Sequence, residues 1–232
     1  MSTFAPQMRI DRDFKKGDIM NYKLSCVKVG NLDTNCYILK RDDLRGAVVI
    51  DPGDDPFIIK STLLEMDATP DLILLTHGHF DHILALQEVR TTKSVVAIHE
   101  SDGKYLTERD LYSSMIGNDP RPFPPADVLF TEKDRNVTLC GYDFEVIHTP
   151  GHTEGSVCYL FGDLLFTGDT LFKGGIGRTD LLGGNSEKMF ASLKLFNNMP
   201  VDYAVYPGHE KCTTLSEEKE NNPYLRFVKE RA

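Results

Sequence analysis

The pattern of apolar and polar positions changes at about residue 20. Before it, residues 1–19 mix acidic, basic and polar side chains without a period, which predicts a loose arm and leaves Met20 able to serve as an alternative start. After it, short apolar runs recur between turn signals. Residues 22–29 and 35–39 read as strands around a Gly30-Asn31 turn, and residues 46–50 form an apolar run ending in Asp51-Pro52-Gly53. Asp55 followed by Pro56 has the form of an N-cap and first helical residue, predicting a helix to about Met66. Residues 72–75 are apolar at every position, the mark of a strand buried on both faces.

Residues 82–89 read as one helix with Ile83, Leu86 and Val89 on a common side, and residues 94–98 as the next strand. The stretch 117–125 carries four prolines, which excludes helix and central strand and predicts a surface loop able to lie over a site. Residues 137–139, 142–147, 156–161 and 164–166 read as successive strands, the last two joined by a Gly162-Asp163 turn. Ser186 is placed to cap a helix with Met189, Leu193 and Phe196 at i, i+4 and i+7, and residues 201–205 form a last strand before Pro207-Gly208-His209. Strands and outer helices occur in both halves, often with no helix between consecutive strands, so the expectation is a mixed α/β fold. No repeat or linker divides it, and residues 20–232 read as one domain.

Composition narrows the partners. With 26 Lys plus Arg against 35 Asp plus Glu, the 232-residue chain carries a net charge of −9 and shows no basic stripe, which argues against nucleic-acid binding. No run approaches the ~20 apolar residues of a membrane span, and the first residues lack the apolar stretch of a secretory signal, so a cytoplasmic protein is expected. Five scattered cysteines, Cys26, Cys36, Cys140, Cys158 and Cys212, contain no C-x-x-C pair; they read as reduced thiols, several of them in apolar strands.

The candidate chemistry lies at strand ends. Thr76-His77-Gly78-His79-Phe80-Asp81-His82 packs three imidazoles and a carboxylate directly after an apolar strand. Such a set suits borderline divalent metals, Zn²⁺ first, with Fe²⁺ and Mn²⁺ also accommodated. A lone histidine there would read as a polar loop residue. Pro150-Gly151-His152-Thr153, Gly168-Asp169-Thr170 and Pro207-Gly208-His209 each follow another apolar run, and ligands delivered from several strand ends converge at one sheet edge. Five histidines and two aspartates are enough for two metal ions sharing one carboxylate. Asp51 fits equally a turn residue and a carboxylate orienting a ligand imidazole. His148 reads as a satisfied strand-end residue and His99 as a surface one.

The ordered set T-H-G-H-F-D-H, P-G-H-T, G-D-T and P-G-H resembles the metallo-β-lactamase superfamily, and the histidine at position 82 is similar to its glyoxalase II-like members. The resemblance runs from about residue 21 to the C-terminus. It implies an αβ/βα four-layer sandwich, two mixed sheets face to face with helices outside. It implies His77, His79 and His152 as ligands of a first metal, Asp81, His82 and His209 as ligands of a second, and Asp169 as the bridging carboxylate. Asp81, His82 and Asp169 would then sit closest to the chemistry, hydrolysis by a hydroxide held between the ions.

The segment after Asp169 bears on substrate. Lys173, Arg178 and three glycines lie between residues 171 and 180, and the two cations are candidates to hold an anionic group. In glyoxalase II the position matching Arg178 is a lysine that contacts glutathione, so the resemblance implies an S-lactoylglutathione-like thioester as a small anionic substrate. The aromatic residue expected two positions later is Asp180, and the long C-terminal helical domain of that family is not expected, although Asn222-Pro223-Tyr224-Leu225-Arg226 resembles a segment of it. Gly177-Arg178-Thr179-Asp180 is also similar to the persulfide dioxygenases, which bind one iron through residues matching His77, His152 and Asp169.

Overall fold

Apolar strands whose alternate side chains are buried on opposite faces need cover on both sides, and the chain supplies it with a second sheet on one face and helices on the other. The computed structural model describes residues 22–108 and 123–231. The expected arm at residues 1–19 and residues 117–122 of the proline-rich stretch lie outside these.

The first sheet has the order β1-β2-β3-β4-β5-β6, from Tyr22–Val29, Thr34–Arg41, Gly46–Ile50, Thr69–Leu74, Val95–His99 and Val128–Phe130. β1 to β3 are antiparallel neighbours and β3 to β6 parallel ones. The second sheet has the order β12-β11-β10-β9-β8-β7, from Asn136–Leu139, Tyr142–His148, Val157–Phe161, Leu164–Gly168, Ala204–Pro207 and Thr213–Thr214, with β10 and β11 parallel and the other pairs antiparallel. Tyr37, Leu39, Val48, Ile50, Leu72 and Leu74 face the second sheet, while their neighbours Ile38, Val49 and Ile73 face the helices. This is the four-layer sandwich of two mixed sheets that the motifs implied.

The outer layers are α1 (Pro56–Glu65), α2 (Phe80–Ile83), α3 (Leu86–Val89) and α4 (Lys104–Thr107) on the first sheet, and α5 (Ser186–Asn198), α6 (Leu215–Asn221) and α7 (Pro223–Glu230) on the second. No helix among the described residues is long and apolar enough to cross a membrane. No disulfide joins any of the five cysteines among the described residues, and Cys140 is exposed.

Several boundaries differ from expectation, each for a tertiary reason. The single helix expected at residues 82–89 is broken because the N–H groups of Leu84 and Ala85 bond the carbonyls of Gly53 and Pro52. Asp55 stands at the N-cap of α1 but at φ +49°, and its carboxylate accepts from Gly30 N instead of capping. α5 is capped by Asn185, which accepts from Lys188 N, and Ser186 is the first residue inside. The last parallel strand begins at Ala204 because its partner β10 starts at Leu164, and Val201 is left exposed.

The sheets are pinned together where the motifs end. Val157 N donates to Thr76 O, Tyr159 Oη to Leu75 O, and Tyr37 Oη to Pro207 O. Between the sheets, the buried Phe166 ring lies 5.2 Å from both Tyr37 and Tyr206. Truncation there removes a ring that close packing cannot replace, so Phe166→Ala is expected to lower unfolding stability by ~3–5 kcal/mol, measured by urea denaturation.

Candidate metal centre

Each sequence-predicted ligand is placed by a strand end. His77 follows β4, His79 is the N-cap of α2, Asp81 and His82 lie in that helix, Asp169 follows β10, and His209 follows β11. His152 lies in the connection between β8 and β9. The structure brings all seven together. His77, His79 and His152 form one group, His77, His82 and Asp169 a second, and Asp81, His82 and His209 a third, with the ligand atoms of each group within 4.8 Å of one another. The Asp169 oxygens stand between them: Oδ1 is 3.4 Å from His82 Nε2, and Oδ2 is 3.4 Å from His152 Nε2 and 3.6 Å from His209 Nε2.

The hydrogen bonds on the far side of the rings decide which nitrogens face inward. His152 Nδ1 donates to the carbonyl of Arg178 (2.7 Å) and His209 Nδ1 to that of Leu32 (3.1 Å). His82 Nδ1 donates to Asp51 Oδ2 (2.9 Å). Thr76 Oγ1 gives its proton to Asp51, so it accepts from His77 Nδ1 at 3.1 Å. Four imidazoles therefore turn Nε2 toward the centre, leaving that nitrogen to a proton or to a metal. His79 presents Nδ1, 2.8 Å from His152 Nε2. His77 Nε2, His82 Nε2 and Asp169 Oδ1 are buried with no hydrogen-bond partner among the described residues. Unpartnered acceptors that converge in this way fit a divalent cation.

Asp51 makes a turn and also bonds the His82 ring. At φ +53° it turns the chain after β3, and its carboxylate accepts from Thr76 N, the Thr76 hydroxyl and His82. It thus fixes the start of the His77 loop and the plane of a ligand ring. Gly208 permits a close approach, since a Cβ there would lie 2.4 Å from Asp169 Oδ1 and 2.7 Å from His82 Cε1.

The electrostatics divide the cluster. Burial and then the neighbouring imidazoles hold His77 well below the usual histidine range, and burial with His152 pushes His79 down to about 3. Burial works against charge on His82 too, but Asp169, Asp81 and Asp51 outweigh it and raise that ring to about 10. For Asp81, burial is outweighed by His82 and His209, and its carboxyl lies below the usual range. The Asp81 side is also the open side. A cleft walled by Leu32, Asp54, Phe80 and Leu84 adjoins it.

The two candidate substrate cations are placed differently from the ligands. Lys173 Nζ pairs with Glu217 at 3.0 Å, and the exposed Arg178 guanidinium pairs with both oxygens of Asp180. The Arg178 carbonyl, not its charge, touches the centre. His148 ends β8 and bonds the Glu154 carbonyl. His99 is not a surface residue: it is 1% exposed at the end of β5, stacked on His148 at 4.1 Å, and burial followed by His148 lowers it to about 4.

Two groups of residues escaped the sequence reading. The Phe172 ring meets His209 edge-on at 6.0 Å. The turn it belongs to is held by the buried Glu218, which accepts from Gly174 N, and by Asn222, whose amide donates to the carbonyls of Phe172 and Gly175. The signal for the first of those helices was present as Thr214-x-x-Glu217, a capping-box pattern, and Thr214 Oγ1 does accept from Glu217 N.

This fold and this site define a class. The sequence pattern of the metallo-beta-lactamase superfamily matches residues 29–209, and the chain belongs to that superfamily. It is 39% identical to the probable metallo-hydrolase YqgX of Bacillus subtilis, covering 85% of this chain and 94% of that one. It is 32% identical to the hydroxyacylglutathione hydrolase GloC of Haemophilus influenzae, covering 87% and 97%. Among solved structures it is similar to BLEG-1 B3 metallo-beta-lactamase, with TM-score 0.80, 39% identity and coverage of 87% and 99%. TTHA1623 in a di-iron-bound form gives TM-score 0.74, 36% identity and coverage of 86% and 99%.

Removing the Asp51 carboxylate would strand three buried donors, each costing ~1–3 kcal/mol. Asp51→Ala is expected to lose ~3 kcal/mol or more in urea denaturation, and Asp51→Asn, which keeps one acceptor and tolerates the left-handed backbone, to lose less.

Proposed function

We propose that this protein is a metal-dependent hydrolase of a small anionic thioester of the S-lactoylglutathione type. The observation that carries the reading is the convergence of imidazole nitrogens on Asp169, with His77, His82, His152 and His209 each fixed from behind by a hydrogen bond. His77, His79 and His152 would hold one divalent ion, Asp81, His82 and His209 a second, and Asp169 both. The nitrogen-rich donor set favours Zn²⁺, and the di-iron form of a similar structure supports iron as an alternative. The name of the Haemophilus influenzae relative supports the glutathione thioester, and that of the Bacillus subtilis relative supports hydrolysis.

A pair of bound divalent ions supplies hydroxide at neutral pH and polarises a carbonyl oxygen. The chain's part is orientation. Asp51, Arg178 and Leu32 fix three ligand rings, and the buried His77, His79 and His152 leave Asp81 and His209 as the solvent side from which substrate enters. Water adds to the thioester carbonyl, its two protons pass to solvent, and the C–S bond breaks with its electron pair on sulfur, giving a carboxylate and a thiolate. That leaving group is stable enough to depart without a dedicated general acid. Lys173 and Arg178 would receive the substrate's carboxylates by exchanging them for Glu217 and Asp180. Exposed ion pairs are worth only ~0–1 kcal/mol, so the exchange is cheap.

A second reading, a mononuclear iron persulfide dioxygenase, is favoured by the Gly177-Arg178-Thr179-Asp180 string. Elemental analysis with two assays separates the readings. Hydrolysis predicts near two metal equivalents per chain, loss of S-lactoylglutathione turnover on chelation, and a drop of at least ~100-fold in His79→Ala and Asp169→Ala, which remove ligands outright. One iron per chain with oxygen consumption on glutathione persulfide would sink it.

A further inference from the structure

Asp102 ends the short 3-10 turn Glu100–Asp102 after β5, is fully buried, and belongs to none of the ligand groups. Its carboxylate is divided between two loops. Oδ2 accepts from Gly78 N at 2.9 Å and from the Thr153 hydroxyl at 2.7 Å, and Oδ1 accepts from Gly155 N at 2.7 Å. Gly78 separates His77 from His79, and Thr153 follows His152 directly. One side chain thus joins the loop from the first sheet that carries two histidines to the loop from the second sheet that carries the third. The fit leaves no slack, since a Cβ on Gly155 would lie 2.6 Å from Asp102 Cγ.

Burying a carboxylate is expensive unless its acceptors are used. Here three donors approach both oxygens, a demand met by an acceptor-only group; an amide would turn an NH2 against one of them. The other ligands are held elsewhere, Asp81 by Thr34, His82 by Asp51 and His209 by the Leu32 carbonyl.

We infer that Asp102 is a positioning residue that sets His77 and His79 against His152, and so sets the affinity for the ion those three take without altering that of the ion at Asp81, His82 and His209. The inference rests on the metal assignment proposed above. It is tested on the full chain, stripped with chelator and titrated with Co²⁺, with affinities from competition with a chromophoric chelator and d–d absorption reporting each site. Wild type is expected to bind two equivalents. In Asp102→Asn one of them should weaken ~10–100-fold with an altered spectrum while the other is unchanged. Thr153→Val should weaken the same equivalent, and Thr153→Ser, which keeps the hydroxyl, should restore it. If circular dichroism shows that Asp102→Asn does not fold, the Thr153 pair decides. Wild-type affinity for both ions in Asp102→Asn and Thr153→Val, or equal weakening of both ions, overturns the inference and leaves the metal assignment standing. A wild type that takes no Co²⁺ overturns both; one that takes a single equivalent moves the same comparison to that ion, which His77 and His152 still share.

Discussion

Polar side chains packed at a buried edge must be satisfied, and the ligand cluster of this protein cannot satisfy itself. Imidazole nitrogens face carboxylate oxygens and one another, and His77 Nε2, His82 Nε2 and Asp169 Oδ1 have no hydrogen-bond partner among the described residues. Much of the neighbouring architecture can be understood as what it takes to hold such an arrangement. The outward nitrogens are tied to Thr76, Asp51, Arg178 and Leu32 so that the rings cannot rotate to relieve the frustration. Hydrogen bonds between sheets, from Val157, Tyr159 and Tyr37, fall at this edge, where a small shear would separate ligands contributed by different sheets.

The charge arithmetic acquires a local meaning. A chain of net charge −9 with Lys173 and Arg178 near a metal centre suggests a positive pocket built from side chains. The structure instead balances each cation with an adjacent acid, Lys173 with Glu217 of α6 and Arg178 with Asp180. Meanwhile three carboxylates, Asp51, Asp81 and Asp169, crowd His82 strongly enough to overcome its burial. The demand for positive charge therefore lies at the centre itself, while the two peripheral cations are already paired.

The apolar runs made a mixed α/β fold legible, the family resemblance carried by the motifs implied the sandwich, and the candidate ligands were legible because they sit in dense motifs after apolar runs. Local signals fixed less where tertiary bonds override them. Nothing in residues 82–89 announces that the Pro52 and Gly53 carbonyls will take the Leu84 and Ala85 amides and break the helix. His99 reads as a surface residue because its cover, His148, is 49 positions away. Asp102 sits in Glu100-Ser101-Asp102-Gly103, a stretch any surface turn could contain. Its significance lies in partners 24 to 53 residues distant.

The C-terminal helices follow from the same logic. Residues 172–175 would, by composition, form a mobile glycine turn. Yet Phe172 must stay against His209, the ligand on the open side, where no deep packing restrains the ring. Glu218 and Asn222 supply the missing restraint by bonding the turn's backbone, and the two are themselves joined, Asn222 Nδ2 donating to Glu218 Oε2 at 2.9 Å. Because both residues are buried on the helices that cover the second sheet, the wall of the site inherits the stability of that layer. The backbone of the turn is thereby fixed, while Lys173 at its apex keeps an exposed side chain paired only with Glu217.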